Sequence, residues 1–437
     1  MLLLDTGPRT ETRILAIYNL ADRLSVRDDL MNPITSWLDM GRFEHHIETA
    51  AELLPRVTDP ISIEPNQFHI ATAQFRVRVR RLAAVIATTP RRDGLLLLDI
   101  GLERDAAIDD IAELLYATWR WRFDMHVGGS ILLDWLAAQV SHVKTETSKP
   151  LTFGQNVHQC VFAGGKLARQ LLKCNRNSEQ ISSGVVAIVF RGTVAAKNGS
   201  NLDIRRPPAL NNPRETMVAH GRGVSLIIGW TEPVENAFGV AAAGLVNAAG
   251  VVRRVRLQSL ETLRINETSA AQSAPEVRTL VALLSERLNE LQLDLSFGIE
   301  IYADASLIPE LLVESYHSSL RRVAALSESM ANTSRIVDRV AAVMHSRYAT
   351  LEASAQEYTE QRGKIFAGTV AIGSLLALPP ALLLAYFGIN STNVNSNLSI
   401  FDLRHYGITY LIVWVPFIVL VVGAGIMRYR VRPRRPE

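Results

Sequence analysis

Near the end of a long apolar stretch the chain reads Pro379-Pro-Ala-Leu-Leu-Leu-Ala-Tyr-Phe-Gly388-Ile-Asn390. Pro379 loosens a helix shortly before its end and Gly388 permits a tight exit. The Asn390 amide offers a carbonyl acceptor and an amine donor. Magnesium gives up its waters reluctantly, so neutral amides gathered at a pore mouth suit a hydrated divalent cation better than a tight cage would. Asn390 is therefore the residue here that could meet a hydrated cation at the mouth of a pore.

Other residues of chemical interest point less far. Asp338, Glu352, Glu357 and Glu360 lie on a helical stretch and either contribute to a regulatory metal site between copies or are solvated charges. His158, Cys160 and Cys174 lack a fourth ligand at zinc spacing. Gly164-Gly-Lys166 fails as a phosphate loop, since Cys160 replaces its first glycine and Leu167 its Ser or Thr. Gly223-Val-Ser225 lacks the closing glycine of a nucleophile elbow, Ile227 standing there. His45-His46 with Glu48 has the wrong spacing for a zinc protease helix. No enzyme is read, and no cofactor other than transported or regulatory Mg²⁺.

The elements that must position these residues lie in the last third. From Ile365 to Phe387 and from Tyr406 to Met427 no side chain is charged, each run having the roughly 20 residues that cross hydrocarbon as a helix. The reading is a hairpin: spans at 365–387 and 406–427, an outer link at 388–405 and a basic tail at 428–437. Arg428, Arg430, Arg432, Arg434 and Arg435 follow the second span, and Arg362 and Lys364 precede the first. The link carries only Arg404, which sets both termini in the cytoplasm. Met1 to Leu4 lacks the features of a signal peptide, so the first membrane signal is expected at Ile365.

Before the first span a helix is expected over 307–364. From Leu320 to Tyr358 it carries a seven-residue pattern: Val323, Met330, Val337, Met344, Leu351 and Tyr358 beside Leu320, Ser327, Ser334, Ala341, Tyr348 and Ala355. Larger side chains beside small ones allow close bundling of copies, although packing on the chain's own body would use the same residues.

The rest is expected to be an α/β or α+β body in two parts, 1–145 and 151–305, divided at the polar, proline-ended Ser141 to Pro150. Strands are expected at Arg13–Leu20, Val185–Phe190 and Val224–Trp230, with a hairpin joining Leu82–Thr88 to Leu95–Ile100. Phe75, Val77 and Val79 alternate with Arg76, Arg78 and Arg80, giving a strand whose basic face is either solvated or anion-binding. Helices are expected at Ala106–Trp121, Val234–Ala249 and from Pro275 to about Leu295. Lys197–Pro213 reads as a surface loop. The formal charge of +3 suggests no nucleic-acid partner, and Cys160 and Cys174 are too few for a disulfide scaffold.

The C-terminal region resembles the CorA family of magnesium transporters. Their signature is Gly-Met-Asn at the end of the first of two C-terminal spans, matched here by Gly388, Ile389 and Asn390, after Tyr386, Phe387 and Pro379. Arg404-His-Tyr-Gly407 resembles the family's entry to the second span, and the Arg-rich tail its basic end. The likeness covers about the last 130 residues. It implies a homopentamer in the plasma (inner) membrane, contacting lipid, with a cytoplasmic α/β domain, a funnel of stalk helices and a ring of first spans. By that resemblance Gly388, Ile389 and Asn390 become the candidate selectivity site, with Tyr386 and Phe387 as aromatic support and Pro379 loosening the helix; Thr369, Leu376 and Leu383 become candidate pore wall and Lys364 the cytoplasmic mouth. The implied function is membrane-potential-driven transport of divalent cations, most of all Mg²⁺. The alternative is a membrane-anchored sensor or interaction protein with a non-conducting pore, favoured by Lys364 and the uncharged Ser391–Ser399. A third reading is a monomeric hairpin anchor.

Overall fold

A computed structural model describes residues 10–73, 75–175, 181–192, 204–212, 215–268, 274–296, 308–388, 398–399 and 401–430. The chain divides into one unit spanning Met1–Met344 and a second spanning His345–Glu437.

The first unit is built on a mixed sheet. Its central strands are β1 (Arg13–Val26), flanked in sequence by the short β2 (Asn32–Pro33), β3 (Arg56–Val57), β4 (Ile61–Ile63) and β5 (Phe68–Ile70). Then come β6 (Val79–Thr88), β7 (Asp93–Leu102), β8 (Met125–Val127), β9 (Ser130–Ile131), β10 (Val143–Thr145), β11 (Phe153–Ala163), β12 (Met217–His220) and β13 (Val224–Ile228). The path through the sheet is β12-β13-β11-β1-β7-β6-β3-β2, with β10 added to β1 and β4 to β6, while β5, β8 and β9 form a separate small sheet in the order β5-β8-β9. β11 and β13 are parallel and β1 runs antiparallel to both neighbours. The sequence-read hairpin is β6 and β7, paired from Thr88–Gly94 to Val79–Leu102.

Helices cover both faces of the sheet. They are α1 (Glu44–Thr49), α2 (Ile108–Arg120), α3 (Leu132–Gln139), α4 (Gly165–Asn175), α5 (Ser183–Val189), α6 (Glu232–Thr268), α7 (Ala274–Leu295) and α8 (Leu311–Val323). Side chains alternate across a strand, and β1 divides accordingly. Ile14, Ala16, Tyr18 and Leu20 enter the core with Ile111, Leu114 and Leu115 of α2 and Val185 and Ile188 of α5. Leu15 points the other way, toward α6, where a Cβ on Gly239 would come within 2.8 Å of its Cδ2. Small residues along α6, including Gly239, Ala242 and Gly250, let it lie close on the sheet. This helix is 37 residues long, well beyond the expected Val234–Ala249.

Three expectations require correction. Val185–Phe190 is the helix α5, not a strand: the Ser182 hydroxyl accepts from the Val185 N–H at 3.5 Å, and Arg191 and Gly192 end the helix at φ of 56° and 67°. A short apolar run reads the same in either state, and the cap decided it. Ser141–Pro150 is no boundary. β10 lies within it and pairs with β1 at Leu24–Thr145, and β11 beyond it pairs with the same strand. The basic alternation is only partly strand: β6 starts at Val79, and its arginines are paired, Arg80 with Glu11 and Arg81 with Asp99 at 3.0 Å. Most of Lys197–Pro213 lies outside the described residues.

The helix expected over 307–364 is two helices. α8 stops at Val323 and α9 (Leu326–Gly388) begins after Ala325, whose φ of 50° is left-handed. That conformation costs an L-residue about 1–2 kcal/mol, so tertiary packing must impose it. Both helices bury a stripe against the body: Val313, Tyr316, Leu320 and Val323 on α8, then Leu326, Thr333, Val337, Val340 and Met344 on α9. Arg256 of α6 donates to Thr333 Oγ1 at 3.0 Å and to the Ser329 carbonyl at 3.1 Å. Of the seven-residue pattern, Leu320, Val323, Val337 and Met344 are thus buried within the chain, whereas Ser327 and Ser334 are exposed. Beyond Met344, Tyr348 and Tyr358 are 58% and 59% exposed.

In the second unit α9 continues without interruption to Gly388, through Pro379 and Pro380, and is followed by α10 (Leu403–Arg430). Among the described residues two helical stretches are long and apolar enough to cross a membrane. Glu232–Ile265, within α6, is 78% buried as the core helix of the first unit, whereas Gln356–Gly388, within α9, is 12% buried. α10 is also apolar, with Ile408, Leu411, Ile412 and Val419 each more than 60% exposed.

Candidate functional site

Around the end of α9 the described residues form an aromatic joint between the two apolar helices. Phe387 meets Tyr406 edge-on, with centroids 5.0 Å apart at 87°, and lies 6.3 Å from Tyr410. Tyr386 meets Phe387 at 5.4 Å and His405 meets Tyr406 at 5.5 Å. Edge-to-face pairs of this kind contribute about 0.5–1.5 kcal/mol each beyond the area they bury. Leu383 and Pro379 stand about one and two turns before Phe387 on the same helix face. Both are buried, Leu383 to 6% exposure, as is Tyr406 at 3%. The carbonyl that Pro379 leaves without its helical N–H partner marks the place where the helix is easiest to bend.

Gly388 ends α9 with open space around its α-carbon. Ile389 and Asn390, the other two residues of the candidate selectivity site, lie outside the described residues, as does the Leu376 side chain. Thr369 is exposed, and its hydroxyl bonds back to the Ile365 carbonyl at 2.8 Å. Leu383 departs from the reading as pore wall, because it is buried within a single chain on the face that carries Phe387. Lys364 is exposed, as are Asp338, Glu352, Glu357 and Glu360. Among the described residues no three His, Cys, Asp or Glu side chains converge on a point that could hold a metal ion.

Sequence reading missed two polar assemblies inside the first unit. Ser225 of β13 stands between two imidazoles, His158 Nε2 at 2.8 Å and His220 Nδ1 at 2.9 Å, and also bonds Tyr316. The Tyr316 hydroxyl lies 3.5 Å from Cys160 Sγ, and its ring stacks on Phe238 at 4.4 Å and 12°. Serine beside histidine resembles a nucleophile and its base. Here both imidazoles are pulled down to about 3 by burial, and burial pushes the Cys160 thiol up to about 12. Ser225 is wholly enclosed, and no carboxylate orients either imidazole among the described residues. The network locks β11, β12, β13 and α8 together. His158, Cys160 and Ser225 were visible singly in the sequence, but nothing local joins positions 67 and 156 residues apart.

The second assembly ties α7 to the sheet. Asp294 accepts from Arg91 at 2.5 Å and from Arg23, and lies 3.7 Å from Arg254, which reaches Asp93 at 2.6 Å. Both carboxylates are buried, and desolvation pushes the Asp93 carboxyl up despite its arginine neighbours.

No family model matches the sequence, and no curated protein or solved structure matches it.

Proposed function

We propose that the protein is a CorA-like, homo-oligomeric transporter of divalent cations, Mg²⁺ above all, in the plasma (inner) membrane. The observation that carries this reading is α9, one helix of 63 residues. Its first turns are buried on an α/β body, and its last turns present Ile365, Phe366 and Leu384 at 56%, 72% and 68% exposure. Apolar surface on this scale needs a cover, and lipid or further copies would supply it. The aromatic joint of Phe387 with Tyr406 and Tyr410 holds the two apolar helices together beside Gly388, the last described residue before Ile389 and Asn390. In an oligomer the Asn390 amides would hold the hydrated ion. An inside-negative potential favours entry by about 2.3 kcal/mol per charge per 100 mV, so a gated passive path suffices.

The test is Mg²⁺ entry into proteoliposomes holding the full chain. Transport predicts entry that grows with an inside-negative potential and falls at least tenfold in Asn390→Ala. No flux of any divalent ion would favour the second reading, an anchored sensor with a closed pore. That reading draws support from the uncharged Ser391–Ser399, which recruits cations weakly.

A further inference from the structure

Arg191 differs from Arg13, Arg23 and Arg254, each of which meets a carboxylate. Arg13 meets Asp99 at 2.6 Å, Arg23 meets Asp294, and Arg254 meets Asp93. Arg191 has only neutral partners. Its Nε donates to Gln159 Oε1 at 2.6 Å, its Nη2 donates to the Gly223 carbonyl at 2.7 Å, and its guanidinium lies 4.8 Å over the Trp119 ring. Among the described residues no carboxylate pairs with it. The surroundings are built to keep it there: a Cβ on Gly223 would fall 2.6 Å from Nη2, and the Arg191 backbone is left-handed. A guanidinium drawn out of water without a counter-ion is costly, and burial pulls its pKa down to about 10.

The guanidinium borders a cavity of about 340 Å³. One wall is polar: Arg191, Arg222 and Asn156, beside His158. The opposite wall is apolar, with Leu245 and Val246 of α6 and Leu320 of α8. Among the described residues no acidic side chain lines the space. Arg222 is exposed, and the Asn156 amide nitrogen is buried without a hydrogen-bond partner. Two cations, a spare amide donor and an aromatic face therefore meet in one concavity, whose volume is at the small end of ligand sites, about 300–1,000 Å³.

We propose that this cavity binds a small phosphate-bearing anion, clasped between Arg191 and Arg222 with the Asn156 amide donating to it. Two guanidiniums match a phosphate dianion in charge, and their forked N–H groups match its oxygens in geometry. The apolar wall takes the organic remainder. Ala324, at the end of α8, also lines the cavity, and the next residue is the left-handed Ala325 from which α9 departs. An occupant thus touches the turn that sets the start of α9, so the site is an effector site as well as a binding site. It stands independently of whether the protein transports ions.

The experiment is calorimetric titration and thermal unfolding of the full chain in detergent. The probes are inorganic phosphate and glycerol phosphate, against chloride at matched ionic strength, with succinate as a dicarboxylate arm. Saturable binding of a phosphate probe at one site per chain is expected. Arg222→Gln should weaken it about tenfold or more while leaving the melting temperature in chloride unchanged, because Arg222 has no described partner to lose. Asn156→Asp should abolish it by placing a negative charge against the ligand. Arg191→Gln is a poor first variant, since Arg191 also holds Gln159 and Gly223. The proposal is overturned if neither phosphate probe binds saturably, if both variants bind as the parent does, or if succinate binds and phosphate does not.

Discussion

The buried imidazoles on either side of Ser225 account for much of the response to acid expected of the first unit. His158 and His220 are neutral in the fold, each pulled down to about 3, and return to an ordinary value near 6.5 when the chain unfolds. Between those values the unfolded chain holds more protons than the native one, so stability is present above about pH 6.5 and is lost as pH falls toward 3. Each histidine contributes a slope of up to about 1.4 kcal/mol per pH unit. Asp93, pushed up by burial, has the opposite sign. Denaturant unfolding followed from pH 7 to pH 4.5 should show a steep loss that His220→Gln roughly halves. Equal slopes in parent and variant would mean that the imidazoles are already protonated in the fold. At this scale the sequence was legible only as an inventory. It offered His158, Cys160 and Ser225 as fragments of metal or nucleophile motifs, and their shared role as one buried hydrogen-bond network depends on strand pairings such as Cys160 with Ser225.

Elements were more legible where local pattern and tertiary demand agree. β1, the β6–β7 hairpin, α2 and α7 fall close to their expected places because alternation, turn residues and an early proline each specify one state. α5 and the α8–α9 break were not legible. A six-residue apolar run suits strand and helix alike, and Ala324-Ala325 is the last pair a propensity scale would choose for an interruption. Of the candidate site the sequence could name Phe387 and Leu383, but that Phe387 packs edge-on against Tyr406 and that Leu383 is buried depend on contacts no heptad reveals. Among the elements α7 carries a specific prediction. Asp294 is its buried anchor, and removing that carboxylate leaves Arg23 and Arg254 without it, so Asp294→Ala should cost about 3 kcal/mol. Hydrogen exchange should quicken from Leu284 to Leu295 while β1 and β7 stay protected. Unchanged exchange along α7 would show that its apolar contacts alone hold it down.

For the whole molecule the proposed topology can be read with the chain's own thiols. Cys174 is exposed and Cys160 buried. In intact cells an impermeant maleimide should label Asn395→Cys in the link, whereas Cys174 should react only after the cells are opened. Labelling of Cys174 from outside would invert the proposed orientation.

The burial of α6 has a consequence for synthesis. Its Glu232–Ile265 stretch is apolar enough to pass for a span, and it leaves the ribosome before the hairpin does. A translocon sampling the nascent chain would meet this decoy first. Two features divert it: β1, β7, β11 and β13 are already made and can receive it, and Arg253, Arg254 and Arg256 burden its second half with charge that hydrocarbon rejects. If the hairpin is inserted as proposed above, targeting is a race that prompt docking of α6 on the sheet must win. Slowing that docking, for example by a bulky residue at Gly239, should send part of the product into the bilayer at the wrong helix.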